Sequence, residues 1–177
     1  MDYRKEYEKW LASPALSEDE RAELRALEGN DKEIKARFYG PLEFGTAGLR
    51  GTMYTGLHNM NRHVIRWATQ GFANVIRAEG TEAMQKGIAV CMDCRNHSAE
   101  FARETACVMA ANGIHVRLFE SLRPTPELSF AVREYGCQAG VNVTASHNPK
   151  EYNGYKVYWS DGAQLPPHHA DAIAFIG

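Results

Sequence analysis

No apolar run in the sequence approaches the roughly 18–20 residues needed to span a bilayer. The longest, around Ile88–Met92 and Ala106–Ala111, fall far short, which excludes a transmembrane helix. There is no block of like charges either. With 20 Lys and Arg against 22 Asp and Glu, the formal net charge is -2, which excludes a basic nucleic-acid arm and a polybasic membrane anchor. Neither nucleic acid nor membrane is therefore expected as a partner. Internal repeats and low-complexity stretches are missing as well. Cysteine is scarce: Cys91, Cys94, Cys107 and Cys137 are all there is, and a chain with an ordinary core needs no disulfide staple, so all four read as thiols. Cys91-Met92-Asp93-Cys94 has the C-x-x-C spacing of redox and zinc modules. Without a second pair or a spaced histidine pair, strand-end cysteines are the better reading. Charged residues fill Met1–Glu6 where a secretory peptide would be apolar, so a cytosolic location is expected.

What the sequence does contain is the composition of a globular domain. Its 177 residues are 44% hydrophobic, 10% aromatic and 24% charged, enough for one α/β domain with a sizeable core and too ordinary for disordered or fibrous classes.

Residues 1–40 read as a helical extension. Tyr3, Tyr7, Trp10 and Leu11 form one apolar stripe. Ser17 with Glu20 makes a capping box leading into Leu24 and Leu27, and Asp31 is expected to cap a third helix carrying Ile34 and Phe38 before Gly40-Pro41 stops it. The main domain is expected over 41–177. Phe44–Gly51 holds three glycines in eight residues, an irregular loop suited to close approach of a ligand. Asn59 or Asn61 caps a long helix with Ile65, Ala68, Phe72, Val75 and Ile76 on one face, ending at Gly80.

Next come a strand at Ile88–Met92, a helix capped by Ser98, a strand at Ile114–Phe119, a helix opened by Thr125-Pro126 and a strand at Ala139–Thr144. Trp67, Tyr135 and Trp159 fall on core-facing positions. This β-α-β-α-β alternation predicts a three-layer α/β/α fold with a mainly parallel sheet, and places ligands at strand C-terminal ends. Tyr155–Trp159 is a candidate further strand, which would make the sheet mixed. Ala170–Ile176 begins a helix in which the sequence stops, so the chain is expected to be a piece of a longer protein.

The third strand leads into Thr144-Ala145-Ser146-His147-Asn148-Pro149. A Ser146–His147 hydrolase pair is geometrically poor, because adjacent extended side chains diverge, and no G-x-S-x-G elbow occurs. A phosphoserine fits better: its charge of about -1.5 to -2 calls for fixed cations, and Arg50, Arg95, Lys150 and Lys156 follow turns or strand ends where they could converge. Arg95, His97 and Ser98 are otherwise explained as a helix-capping turn, and His168-His169 has no third ligand for a metal.

Three motifs, T-A-S-H-N-P (144–149), F-G-T-A-G-L-R-G (44–51) and Y-N-G-Y-K-V-Y (152–158), together resemble the N-terminal domain I of the α-D-phosphohexomutase superfamily. Residues 1–40 resemble the extension of its phosphoglucomutase and phosphopentomutase branch. The resemblance implies a phosphoserine enzyme, an isomerase interconverting sugar 1-phosphate and 6-phosphate through a bisphosphate intermediate, with glucose favoured and phosphopentomutase or phosphomannomutase as alternatives. By motif position it implies that Ser146 carries the phosphoryl group, Arg50 stabilises it, Lys156 contacts phosphate and assists proton transfer, and His147 supports either task. It implies Mg2+, held by the phosphate on Ser146 and by aspartates of a D-G-D-x-D-R-type loop that this sequence lacks. It further implies glucose 1,6-bisphosphate as activator, a phosphorylated sugar as substrate and further domains of the same polypeptide as partners. The missing metal loop also leaves room for a non-catalytic sugar-phosphate sensor.

Overall fold

The structure, a computed structural model, describes residues 1–45, 48–165 and 173. Three short helices come first: α1 (Tyr3–Leu11), α2 (Glu18–Arg25) and α3 (Asp31–Phe38). The capping box of α2 is complete, with Glu20 N–H donating to Ser17 Oγ and Ser17 N–H donating to the Glu20 carboxylate. The cap of α3 falls one residue earlier than expected. Asn30 accepts from Glu33 N–H, because the Asp31 carboxylate is already engaged by Tyr3 Oη and Arg4 Nε, both at 2.9 Å. Leu16, Leu24, Leu27, Ile34, Phe38 and Leu57 form an apolar cluster for this region. Glu20 ties it to the rest, accepting from Arg62 and lying 3.1 Å from His63 Nε2.

The remaining elements are β1 (Leu49–Thr52), α4 (Arg62–Ala78), α5 (Thr81–Lys86), β2 (Ile88–Met92), α6 (Ser98–Ala111), β3 (Val116–Leu118), α7 (Thr125–Glu134), β4 (Ala139–Val143) and β5 (Tyr152–Trp159). The strands form one sheet in the order β1-β5-β4-β2-β3. β2 pairs parallel with β3 and β4, while β5 runs antiparallel to β4 and β1. This is the expected three-layer α/β/α arrangement with a mixed sheet.

Alternation sorts the layers. Ile88, Val90, Val141, Val143, Tyr155 and Val157 pack with Ile65, Phe72 and Ile76 of α4 and Phe101 and Met109 of α6. Ala89, Cys91 and Tyr158 point the other way, onto Leu128 and Val132 of α7. α7 lies over β2 and β4, so among the described residues no helix covers the β5–β1 end of that face.

Several local expectations give way to tertiary context. Leu49–Thr52 is a strand, not part of an irregular loop, because β5 supplies its partner. Of the two asparagines, Asn61 caps α4, and α5 follows Gly80 where no helix was expected. Ser98 does not cap α6: His97 holds that place with φ 61, and the Ser98 hydroxyl donates to Asp93 at 2.8 Å. Pro124 rather than Thr125 is the cap of α7, and Thr125 Oγ1 instead accepts from Asn142. β3 is only three residues long, β4 ends at Val143, and β5 begins at Tyr152. Tyr135, expected in the core, is 52% exposed beside Arg117. Thr46, Ala47, the His168-His169 pair and the helix expected over Ala170–Ile176 lie outside the described residues, apart from Ile173, which is helical and buried.

Candidate active site

β4 delivers the serine loop to the C-terminal end of the sheet. Beyond the last register pair, Val143 with Tyr155, Thr144 N–H donates to the Gly154 carbonyl at 3.0 Å, so Thr144 remains opposite Gly154. Its hydroxyl turns back to accept the Ser146 N–H at 3.0 Å. Ser146 has φ 57, the left-handed region that costs a non-glycine residue about 1–2 kcal/mol, and its side chain is exposed. A strained, exposed serine at a strand end is a common mark of a working position.

The same register brings two cations to this edge. Arg50 on β1 stands opposite Gly154, and Lys156 on β5 stands opposite Asn142. The period of two puts Arg50, Thr144 and Lys156 on one face, the part that α7 leaves uncovered. No side chain at 154 fills the strip between Arg50 and Thr144, and a Cβ there would lie 2.6 Å from the Thr144 carbonyl oxygen. Gly48 lets β1 dock this closely: with φ +102, its Cβ would lie 1.8 Å from the Tyr155 carbonyl oxygen. Among the described residues neither Arg50 nor Lys156 has a carboxylate within salt-bridge distance. Desolvation and the nearby Arg50 guanidinium pull the Lys156 ammonium below the ordinary lysine range, with Asp93 opposing them. Two unpaired, neighbouring cations form a site for a doubly charged anion.

The other expected members are less engaged. His147 and Lys150 are exposed and, among the described residues, make no polar side-chain contact. Arg95 does not join the cationic pair at all; it reaches into the serine loop from the β2–α6 turn and donates to backbone carbonyls. Sequence reading missed this role, since the partners lie more than fifty residues away and a carbonyl leaves no trace in residue identity.

Among the described residues no group of three or more His, Cys, Asp and Glu could hold a metal ion. Asp93, the carboxylate beside the site, is committed to Arg95 and Ser98. Of the C-x-x-C pair, Cys94 is exposed and Cys91 is buried at the strand end, and that burial pushes the Cys91 thiol up to about 12. An apolar cavity of about 360 Å3 between Leu42, Phe44, Leu49 and Trp67 has Glu43 as its charged lining residue, the wrong sign for phosphate.

Comparison with known proteins agrees with this fold. A family model described as phosphoglucomutase/phosphomannomutase, alpha/beta/alpha domain I, matches residues 41–176. A phosphopentomutase of Homo sapiens is 42% identical over 153 residues, covering 83% of this chain and 25% of the relative. A phosphoglucomutase of Staphylococcus aureus strain USA300 is 44% identical over 136 residues, covering 77% and 24%. Among solved structures, a Thermus thermophilus protein assigned as a phosphomannomutase superposes with a TM-score of 0.70 at 30% identity, over 77% of this chain and 30% of that one. The chain spans about a quarter of the length of the curated relatives it matches. With a match over three quarters of its length, the chain belongs to the phosphoglucomutase/phosphomannomutase family, as its α/β/α domain I.

Proposed function

We propose that this domain carries the transferring phosphoryl group of a phospho-sugar mutase, as a phosphoserine at Ser146. The observation that supports this most is an exposed serine in left-handed conformation on the sheet edge that presents Arg50 and Lys156 as unpaired cations. In the first transfer the Ser146 Oγ–P bond breaks and a bond forms between phosphorus and a sugar hydroxyl oxygen. The hydroxyl proton passes to Lys156 and on to Ser146 Oγ. In the second, the other phosphate of the bisphosphate returns to Ser146 and the proton retraces its path. Arg50 faces the charge spread over the phosphoryl oxygens, the main demand of a loose transition state. Lys156, its proton affinity lowered by desolvation and by Arg50, is the group assigned the proton relay. His147, exposed next to the carrier, belongs to the same proposal as an auxiliary phosphate contact.

Mg2+ would be held through an oxygen of the Ser146 phosphate together with ligands from elsewhere in the polypeptide, where it would neutralise phosphate charge. A sugar bisphosphate such as glucose 1,6-bisphosphate would prime Ser146. Residues 1–40 would serve as an extension to the phosphoserine domain at 41–177, in the cytosol, with the rest of the polypeptide completing the cleft. Glucose 1-phosphate is the first substrate to try, and ribose 1-phosphate the second, since relatives include both phosphoglucomutases and phosphopentomutases. The full-length protein should isomerise one of them with Mg2+ and a bisphosphate primer, and Ser146→Ala should abolish the activity. Wild-type turnover by Ser146→Ala would defeat the proposal.

A further inference from the structure

We propose that Arg95 is a positioning residue for phosphoryl transfer: it clamps the serine loop so that Ser146 is held by its backbone while its hydroxyl stays free. The inference rests on Ser146 being the phosphoryl carrier.

Arg95 sits on the β2–α6 turn with its side chain only 12% exposed. One terminal nitrogen donates to the carbonyls of Pro149 and Tyr152, at 2.9 and 3.1 Å. The other donates to those of Ser146 and Asn148, at 2.8 and 2.6 Å. Its Nε faces Asp93 Oδ2 at 3.4 Å. A guanidinium has five N–H groups; the four on its terminal nitrogens donate to these carbonyls, and Nε lies at ion-pair distance from Asp93. With its terminal N–H groups taken by the loop, Arg95 acts on the reaction through the loop.

The four carbonyls belong to one stretch, 146–152, and one of them is that of Ser146 itself. Thr144 Oγ1 already takes the Ser146 N–H, so the serine is pinned on both sides of its α-carbon. Swinging residue 146 out of the left-handed region would break one pin or the other. The tie is reciprocal. Asn153, fully buried just after the loop, donates to the Asn96 carbonyl and to Ser98 Oγ on the turn that carries Arg95. Among the described residues, the two non-glycine positions with positive φ are His97 and Ser146, one in each of the tied loops. Their shared strain is what a device that presets a reacting atom requires.

A lysine cannot replace the arginine in this role, because a point charge on a flexible stem does not fork across four acceptors. The test uses the full-length protein and follows transfer of phosphate from glucose 1,6-bisphosphate onto Ser146 by rapid quench and intact mass. It is run on wild type, Arg95→Ala and Arg95→Lys, below the melting temperature of each. Arg95→Ala should slow the transfer about 100-fold, the usual cost of a small misplacement, with KM for the sugar phosphate little changed and with partial rescue by added guanidinium ion. Arg95→Lys should be slow as well, and guanidinium should not improve it. If Arg95→Ala does not fold, Arg95→Lys decides. Transfer at the wild-type rate in whichever folded variant decides overturns the clamp alone. Slow transfer that guanidinium leaves unchanged in Arg95→Ala also overturns it, as does a rise in KM that accounts for the loss. No transfer in the wild type overturns the phosphoserine reading and the clamp with it.

Discussion

The two faces of the sheet divide the work of this domain, and β5 shows the division within one strand. Tyr155 points into the face that α4 and α6 cover and is fully buried, its hydroxyl 3.0 Å from Thr69 Oγ1. Lys156, the next residue, points to the half-open face and shares it with Arg50 and Thr144. One side is closed and apolar, so it holds stability. On the other, Arg50 and Lys156 stand without a carboxylate partner and the serine loop at its end is strained, an arrangement that costs stability and that the proposed phosphoryl transfer would use. Because side chains alternate, the chain needs no separate scaffold for the site.

The contrast would be broken by substitutions whose effects cross from one face to the other. Phe72→Ala, on the covered face, should cost about 3–5 kcal/mol of stability in urea denaturation, while the transfer rate of the molecules that remain folded stays near wild type. Lys156→Met should show the reverse pattern. Its melting curve should lie within about 0.5 kcal/mol of wild type, and phosphoryl transfer measured by rapid quench should fall by at least ~100-fold, as expected on losing a proton carrier. Tyr155→Phe should leave the Thr69 hydroxyl without this partner and lower stability by about 1–2 kcal/mol, again without a rate effect.

Smaller shifts sharpen the electrostatic side. The Arg50 charge lowers the proton affinity of Lys156, and Lys156 takes the sugar hydroxyl proton only when neutral, so Arg50→Gln should move the rising limb of the pH–rate profile to higher pH, and Asp93→Asn should move it to lower pH. Acid should loosen the extension first. Burial and the neighbouring Arg62 push His63 down against the pull of Glu20. Burial pushes the Glu20 carboxyl up, but the Ser17 contacts, His63 and Arg62 outweigh it and the net direction is down. Both groups bind protons more tightly when unfolded, so stability should fall as the pH drops below the ordinary histidine value and again through the carboxylate range. In a thermal-melt series, Glu20→Gln should lose the slope in the carboxylate range and, with the pull of Glu20 on His63 gone, steepen the slope near the histidine value.

Much of this was legible in residue order. The Ser17–Glu20 box, the face of α4 from Ile65 to Ile76 and the strand Ile88–Met92 are local patterns, and each element forms where its pattern lies. The serine loop was legible because its motif is contiguous. Harder to read were the positions whose fate depends on a distant partner. Leu49–Thr52 has neither length nor alternation enough to mark a strand, and becomes one because β5 lies beside it. Ser98 has the right chemistry for a cap, yet its hydroxyl goes to Asp93, leaving His97 to start the helix from a left-handed conformation.

What the sequence by itself determined was the class of fold, through periodicity and helix caps, and which serine is proposed as the phosphoryl carrier, through a contiguous loop. What only the tertiary structure decided was how that serine is held and what faces it. Arg50, Arg95 and Lys156 lie far apart in the chain, and each could have been a solvated surface charge. Strand register put two of them on one open face, and a set of backbone carbonyls took up the third. Register and backbone hydrogen bonding are properties of paired segments, so no single stretch of sequence encodes them.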